Sequence, residues 1–270
     1  MHSSRPTQLG RLNSSEISVR ERRRHGDFFP PGIGRDVLLT NQPEFTFYPV
    51  TALYDKLLDP DRLRYTDKML VTSAAYYKSR KTPGHELLLF IIADQANEPL
   101  NNYILLDRTP RPSTIDPSVV SKSKPRIAQL LGGPARDQFC ISYNGDGDSL
   151  LREFGGSSLD ELEILMFPAE TFYLYELIIL AYVTSSDRPN YHLLRSQCYW
   201  FANTMWETMK NLVPVARVQS HLSTQPQLLG LNVIREPSLV DDVINAFRET
   251  RSEFRSELER RRPVVRAICS

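Results

Sequence analysis

The chain has 270 residues, of which 41% are hydrophobic and 24% charged, values that are ordinary for a globular protein with a hydrophobic core. Its net charge of +1 excludes a strong overall attraction to nucleic acid or to an anionic membrane. The three cysteines, Cys140, Cys198 and Cys269, are too few for a disulfide framework and lack the paired spacing of a zinc site. Composition therefore favours a reducing compartment, and we expect a cytoplasmic protein, with the nucleus as the alternative.

The N-terminal residues are polar and basic, and no apolar stretch follows them, so the sequence predicts no secretory signal. We expect residues 1–44 to be a disordered or extended segment, because their polar, Pro- and Gly-containing composition cannot form a core. Arg20 to His25 form a basic cluster, which is interpreted as a solvated tail, with nuclear import or anion binding as the alternative. The longest apolar run, at residues 174–183, is too short to span a bilayer.

The first regular elements are predicted to be helices. Residues 50–58 look helical, and residues 67–81 carry apolar side chains at a helical spacing. The Pro-Gly pair at residues 83–84 ends this second segment.

Strands are predicted to follow. The apolar run at residues 86–93 is the clearest strand, and residues 103–107 are its hairpin partner. Residues 109–125 carry four prolines and several Ser and Thr, which predicts a long surface loop. Two further strands are predicted at residues 136–143 and 161–167.

The last third of the chain is predicted to be mainly helical. Residues 144–148 form a turn, and the spacing there does not fit a calcium-binding loop. Residues 170–183 are apolar nearly all round, which predicts a buried helix, and residues 197–212 predict another. A capping-box pattern at Ser238 predicts a final helix that ends at residues 260–262.

These elements predict an α+β protein in which a small antiparallel sheet packs against a helix that bears Cys198. We divide the chain into the N-terminal segment 1–44, an α+β domain at residues 45–215, and a linker with a charged helix at residues 216–270. Extra helices lie at both ends of the domain.

Cys198 is the candidate nucleophile. It lies at the predicted start of a helix, where the positive end of the helix dipole stabilises a thiolate. A nucleophilic thiol also needs a base within hydrogen-bonding reach, held by a third polar group. Cys140 is interpreted instead as a core residue of a strand, because free cysteines are often small buried hydrophobes.

His85 is the candidate base because it begins an apolar strand, from which an imidazole can face a helix packed across the sheet. The next strand ends in Asp107, and side chains on adjacent antiparallel strands come within reach of each other. Asp107 can therefore hold the His85 tautomer, although a surface salt bridge between Asp107 and Arg108 is the alternative. His192 is kept as a second choice of base.

The stretch YHLLRSQCYWFA resembles the Cys-helix motif of lecithin:retinol acyltransferase-like proteins, a permuted branch of the NlpC-type papain-like superfamily. The positions that match are Tyr191, Leu193, Leu194, Cys198 and Phe201. The resemblance covers roughly residues 80–212, and the Cys-Tyr-Trp-Phe-Ala string also resembles uncharacterised proteins of mushroom-forming fungi.

The same resemblance extends to the order of the site residues. His85 matches the family's first histidine, and Asp107 stands where a second histidine is typical. The Glu-His that follows the family's cysteine is Tyr199-Trp200 here.

The resemblance implies a papain-like fold and a cysteine hydrolase or acyltransferase that acts on an amide or ester through an acyl-enzyme. In that mechanism His85 takes the proton of Cys198, and backbone N–H groups at the helix start hold the oxyanion. Arg108 and Arg195 are candidates for binding an anionic substrate, with solvated side chains as the alternative. The sequence itself predicts no cofactor and no metal ion.

A second hypothesis is a non-catalytic binding or regulatory protein that retains a papain-like fold. Its partners would contact the basic N-terminal tail and the charged C-terminal helix. Nucleic-acid binding through Arg22 to Arg24 is the weakest hypothesis, because the net charge is close to zero.

Overall fold

A computed structural model describes residues 28–29, 44–59, 66–81, 84–95, 100–110, 133–191, 197–220, 227–228, 231–232 and 237–268. Its strands are β1 (Phe45–Pro49), β2 (Met69–Ser79), β3 (Glu86–Asp94), β4 (Leu100–Pro110), β5 (Gly133–Ser142), β6 (Leu159–Met166), β7 (Asn190–Tyr191), β8 (Arg217–Ser220), β9 (Gln227–Leu228) and β10 (Leu231–Asn232). Its α-helices are α1 (Val50–Lys56), α2 (Gly147–Glu153), α3 (Leu174–Asp187), α4 (Gln197–Leu212) and α5 (Pro237–Ile268), and a 3₁₀ turn covers Gly156–Ser158.

The strands form one large antiparallel sheet. Seven strands lie side by side in the order β1-β5-β4-β3-β2-β6-β8, β7 pairs with β5, and β9 and β10 form a separate small hairpin. The prediction of an α+β fold with an antiparallel sheet is confirmed, but the sheet is wider than the few strands that the sequence indicated. Several of the additional strands are short, and short strands carry too few residues to show an alternating pattern.

The predicted helix at residues 67–81 is wrong, because this segment is the strand β2. It pairs with β3 on one side and with β6 on the other, through registers that include Ala75 with Leu89 and Ala75 with Ile164. The segment contains Val71, Thr72 and a Tyr-Tyr pair, side chains that suit a pleated surface. Pairing with strands on both edges therefore outweighed the helical spacing of the apolar residues and made this segment a strand.

The other predicted elements are found, with shifted ends. The helix predicted at residues 170–183 begins at Leu174, because Glu176 accepts a hydrogen bond of 3.0 Å from the backbone N–H of Tyr173 and closes a capping box. The predicted turn at residues 144–148 leads directly into α2, whose N-cap is Asp146.

The final helix differs from its prediction at both ends. It begins at Pro237, so Ser238 lies inside the first turn and is not its N-cap. It also continues past the predicted end at residues 260–262 as far as Ile268. Its apolar residues Val243, Phe247, Phe254 and Leu258 are buried in the main core.

Each face of the sheet has its own packing. The main core lies between one face and the helices α1, α3, α4 and α5, and it includes Phe90, Leu106 and Trp206. A smaller cluster on the other face contains Leu87, Leu105, Cys140 and Leu150, and the last of these comes from α2. Within the described residues, no helix has both the length and the apolar character needed to cross a membrane.

Candidate active site

Three separate segments supply the side chains of the candidate site. His85 immediately precedes β3, Asp107 lies near the end of β4, and Cys198 is the second residue of α4. In the register of the two strands Leu87 pairs with Asp107, so His85 is a diagonal neighbour of Asp107 on the same face of the sheet. The predicted trio is thus brought together where the start of β3 meets the start of α4.

The imidazole of His85 forms an ion pair with the carboxylate of Asp107. His85 Nε2 lies 3.6 Å from Asp107 Oδ2, and the Asp107 side chain has no solvent exposure while that of His85 is 28% exposed. Neither oxygen of Asp107 makes a hydrogen bond in the described part of the chain, and His85 Nε2 makes none either. The imidazole is therefore the nearest cationic group that the described structure gives to this buried carboxylate.

The pKa values of the Cys198 thiol and the His85 imidazole depend on each other, since each group is among the causes of the other's shift. Burial raises the pKa of Cys198, but its hydrogen bond with His85 and the positive charge there outweigh burial, so the pKa lies below its ordinary value. Burial lowers the pKa of His85, but the adjacent Asp107 and Cys198 raise it to about 10. Both directions favour a thiolate–imidazolium pair.

Helix α4 provides a second source of stabilisation for a thiolate. Cys198 lies in the first turn of this 16-residue helix, where backbone N–H groups have no partner within the helix. Cys198 therefore lies at the positive end of the helix dipole, since α4 begins where the sequence predicted.

Glu86 also contributes to the site, and the sequence reasoning missed it. Its backbone N–H donates a hydrogen bond to the Cys198 sulfur, which lowers the pKa of the thiol, while its carboxylate charge raises that pKa. The carboxylate is buried, accepts a hydrogen bond from the Tyr76 hydroxyl and lies 3.3 Å from Lys78 Nζ. A charged residue at the start of the apolar run at 86–93 was the one signal in the sequence.

The alternative of a surface salt bridge between Asp107 and Arg108 is wrong, because successive side chains of a strand point to opposite faces. Both residues are buried, and Arg108 Nη1 instead lies 2.8 Å from Asp137 Oδ2. Arg108 is therefore neither a solvated side chain nor open to an anionic substrate.

The remaining candidates have different outcomes. Cys140 is fully buried in β5, as predicted, and burial raises the pKa of its thiol to about 12. His192 and Arg195 lie outside the described residues, as do the basic cluster at residues 20–25, Cys269 and the predicted loop beyond residue 110. Among the residues that the structure describes, no group of three or more His, Cys, Asp or Glu side chains is placed to hold a metal ion.

Comparison of the chain with known protein families, with curated proteins and with solved structures finds no match. The assignment of a function therefore depends on the geometry of Cys198, His85 and Asp107.

Proposed function

We propose that the protein is a cysteine-dependent hydrolase or acyltransferase that acts on an amide or ester through an acyl-enzyme. The observation that carries this proposal is the mutual dependence of the pKa values of Cys198, at the positive end of α4, and of His85, which precedes β3 and pairs with Asp107 at 3.6 Å. A nucleophile, a base in contact with it and a carboxylate behind the base are the parts that covalent acyl transfer requires.

In the first half of the reaction the Cys198 thiolate attacks the carbonyl carbon of the substrate. A carbon–sulfur bond forms, the carbonyl oxygen becomes an oxyanion, and the backbone N–H of Cys198 at the helix start stabilises it. The intermediate then collapses, and the alkoxide or amine leaves with the proton that the His85 imidazolium donates. The product of this half is a thioester on Cys198.

In the second half water or an acceptor alcohol or amine attacks the thioester. His85, now neutral, takes the proton of the attacking group, and the carbon–sulfur bond breaks to restore the thiolate. The His85 side chain as a whole is 28% exposed, although its Nε2 is buried. Asp107 stabilises the imidazolium in both halves.

The resemblance to lecithin:retinol acyltransferase-like proteins supports the same proposal. The order of histidine, polar residue and cysteine along the chain agrees with that family, and so does a buried helix, α3, before the cysteine helix. We extend the proposal to a papain-like relationship and to a cytoplasmic or nuclear location, where the thiol of Cys198 stays reduced.

A non-catalytic binding protein with the same fold is the second candidate. The observation that favours it is the low exposure of Cys198, of which only 9% is accessible to solvent. A sulfur that is covered in this way could stabilise its surroundings without ever meeting a substrate.

Acylation of the full-length protein by an activated ester separates the two candidates. We expect p-nitrophenyl acetate to give a burst of p-nitrophenol and an acetyl thioester that peptide mass spectrometry locates at Cys198. Cys198→Ala should abolish both signals, and His85→Ala should slow the burst by about 10²- to 10⁴-fold, the usual contribution of a general base.

Cys140→Ala is the matched control, because it removes the other described thiol, which is fully buried in a strand. It should leave the burst unchanged. If wild-type protein gives no burst and no thioester, or if acetylation is equal at all cysteines, the protein is not an enzyme of this class.

A further inference from the structure

Arg108 is the largest charged side chain in the interior of the described fold, and the proposed mechanism does not use it. Its side chain has no solvent exposure, and it follows Asp107 directly in β4. Because side chains alternate along a strand, Asp107 points to the face where it meets His85 and Arg108 points to the opposite face. A buried arginine needs a full set of partners to offset the loss of its hydration.

The guanidinium group of Arg108 joins two strands to the segment that leads into α4. Nη1 lies 2.8 Å from Asp137 Oδ2 on β5, and Ser185 of α3 donates a hydrogen bond to the same oxygen. Nη2 donates to the backbone carbonyls of Arg188 and Asn190, the second at 3.3 Å. These two residues immediately precede the connection to α4, which begins at Gln197.

The same guanidinium group also contacts the helix that carries the nucleophile. Its central carbon lies 5.3 Å from the ring centroid of Trp200 and 5.6 Å from that of Phe201. Both distances are within the range of a cation–π contact, which is strengthened where water is excluded. Trp200 and Phe201 follow Cys198 in the first turns of α4, so Arg108 contacts the chain on both sides of the nucleophile.

We propose that Arg108 is a positioning residue that fixes Cys198 relative to His85. The consecutive residues Asp107 and Arg108 then hold the two halves of the nucleophilic pair from one rigid strand, Asp107 through the imidazole and Arg108 through the start of α4. This role rests on the proposed function. A displacement of about 1 Å in such a pair can reduce a rate by about 100-fold, so a fixed frame is chemically important.

The test is the pH profile of Cys198 alkylation by iodoacetamide, measured in the full chain with peptide mass spectrometry. Arg108→Lys keeps the positive charge but loses the planar fork that bonds Asp137 and two carbonyls together. We expect the midpoint of the profile to rise by about one pH unit, which lowers the rate at pH values below the midpoint by about tenfold. The variant should retain the circular dichroism spectrum and cooperative unfolding of the wild type.

Arg251→Lys is the matched control, because Arg251 also contacts a carboxylate and an aromatic ring. Its Nε lies 3.0 Å from Glu176, its central carbon lies 5.9 Å from the Phe247 ring centroid, and it belongs to α5. This substitution should leave the midpoint unchanged. A lower stability of Arg108→Lys with an unchanged midpoint would show a purely structural role and overturn the proposal.

If Arg108→Lys does not fold, Ser185→Ala is the variant that tests the positioning role. It removes one hydroxyl contact to Asp137 and leaves the arginine in place. A smaller upward shift of the alkylation midpoint supports the proposal, and an unchanged midpoint overturns it. The proposed function fails separately if the midpoint of the wild-type profile is not lowered and does not change in His85→Ala. If the midpoint changes in His85→Ala but in neither Arg108→Lys nor Ser185→Ala, only the positioning role is rejected.

Discussion

Asp107 forms its backbone register pair with Leu87, but its carboxylate meets His85, two residues earlier in the chain. This diagonal arrangement places the imidazole at the end of the sheet, beyond the last paired residues of the strand. Cys198 is the second residue of α4, and the imidazole lowers the pKa of its thiol. The reactivity of the thiol should therefore depend on residues from β3, β4 and α4 together.

The first prediction concerns the alkylation of Cys198 in His85→Ala. With His85 present the pKa of Cys198 is lowered, so the thiolate persists as the pH falls and alkylation declines only below that lowered pKa. Without the imidazolium, burial is opposed mainly by the backbone N–H of Glu86, and the pKa should rise above its ordinary value. Alkylation at pH 7 should slow by about 10- to 100-fold, as measured by site-resolved mass spectrometry.

Cys140 is an internal control in the same experiment. Burial raises the pKa of this thiol to about 12, so it should stay unmodified at neutral pH in both proteins while the fold is intact. Equal alkylation of Cys140 and Cys198 in the folded wild type would contradict the assigned roles.

The second prediction concerns Asp107→Asn, which keeps the size of the side chain and removes its charge. Asp107 helps to raise the pKa of His85, so the substitution should lower that pKa and weaken the thiolate–imidazolium pair. The midpoint of the Cys198 alkylation profile should rise, and the rate at pH 7 should fall by about 3- to 10-fold.

Asp160→Asn is the control for this substitution. Asp160 also pairs with a cation, Arg80, but the Arg80 side chain is 62% exposed. The control should leave the midpoint of the Cys198 alkylation profile unchanged. A shift of equal size in both variants would mean that Asp107 acts only through the overall electrostatic potential of the protein.

The third prediction is that Glu86→Gln makes Cys198 more reactive. The carboxylate charge of Glu86 raises the pKa of Cys198, whereas the backbone N–H of the same residue lowers it. The substitution removes the first effect and keeps the second, so the midpoint of the alkylation profile should move to lower pH. Glutamine can still accept the hydrogen bond of the Tyr76 hydroxyl.

Glu161→Gln provides a closely matched comparison. Glu161 accepts a hydrogen bond of 2.7 Å from Tyr77, the residue after Tyr76, so it repeats the same pair at the next position of β2. Its replacement should not move the midpoint. If Glu86→Gln raises the midpoint instead of lowering it, the Glu86 carboxylate stabilises the thiolate indirectly, and its charge does not dominate the pKa of Cys198.

The fourth prediction concerns Gly84, which precedes His85 and has a φ of +70°. The added Cβ of Gly84→Ala meets no close neighbour, since the nearest atoms are 3.6 Å away. The left-handed backbone nevertheless disfavours alanine, and we expect a loss of about 1–2 kcal/mol in the free energy of unfolding, measured with urea. Gly84→Asn should lose less, because asparagine tolerates this conformation. Equal losses in the two variants would point to a steric cause.

The amino-acid sequence by itself determined the candidate nucleophile and much of the secondary structure. The helix at Gln197–Leu212 and the strand at Glu86–Asp94 have periodic or continuous apolar patterns, which depend only on local spacing. The position of Cys198 at a helix start and of His85 before a strand followed from the same patterns.

Only the tertiary structure decided which side chains surround these two residues. Segment 69–79 became a strand because β3 and β6 pair with both its edges, and no local pattern records such distant partners. The opposite directions of Asp107 and Arg108, and the contact of Glu86 with the sulfur, depend on the register between strands and on the packing of α4. Register and packing depend on contacts between residues that are far apart in the chain, so local sequence patterns do not determine them.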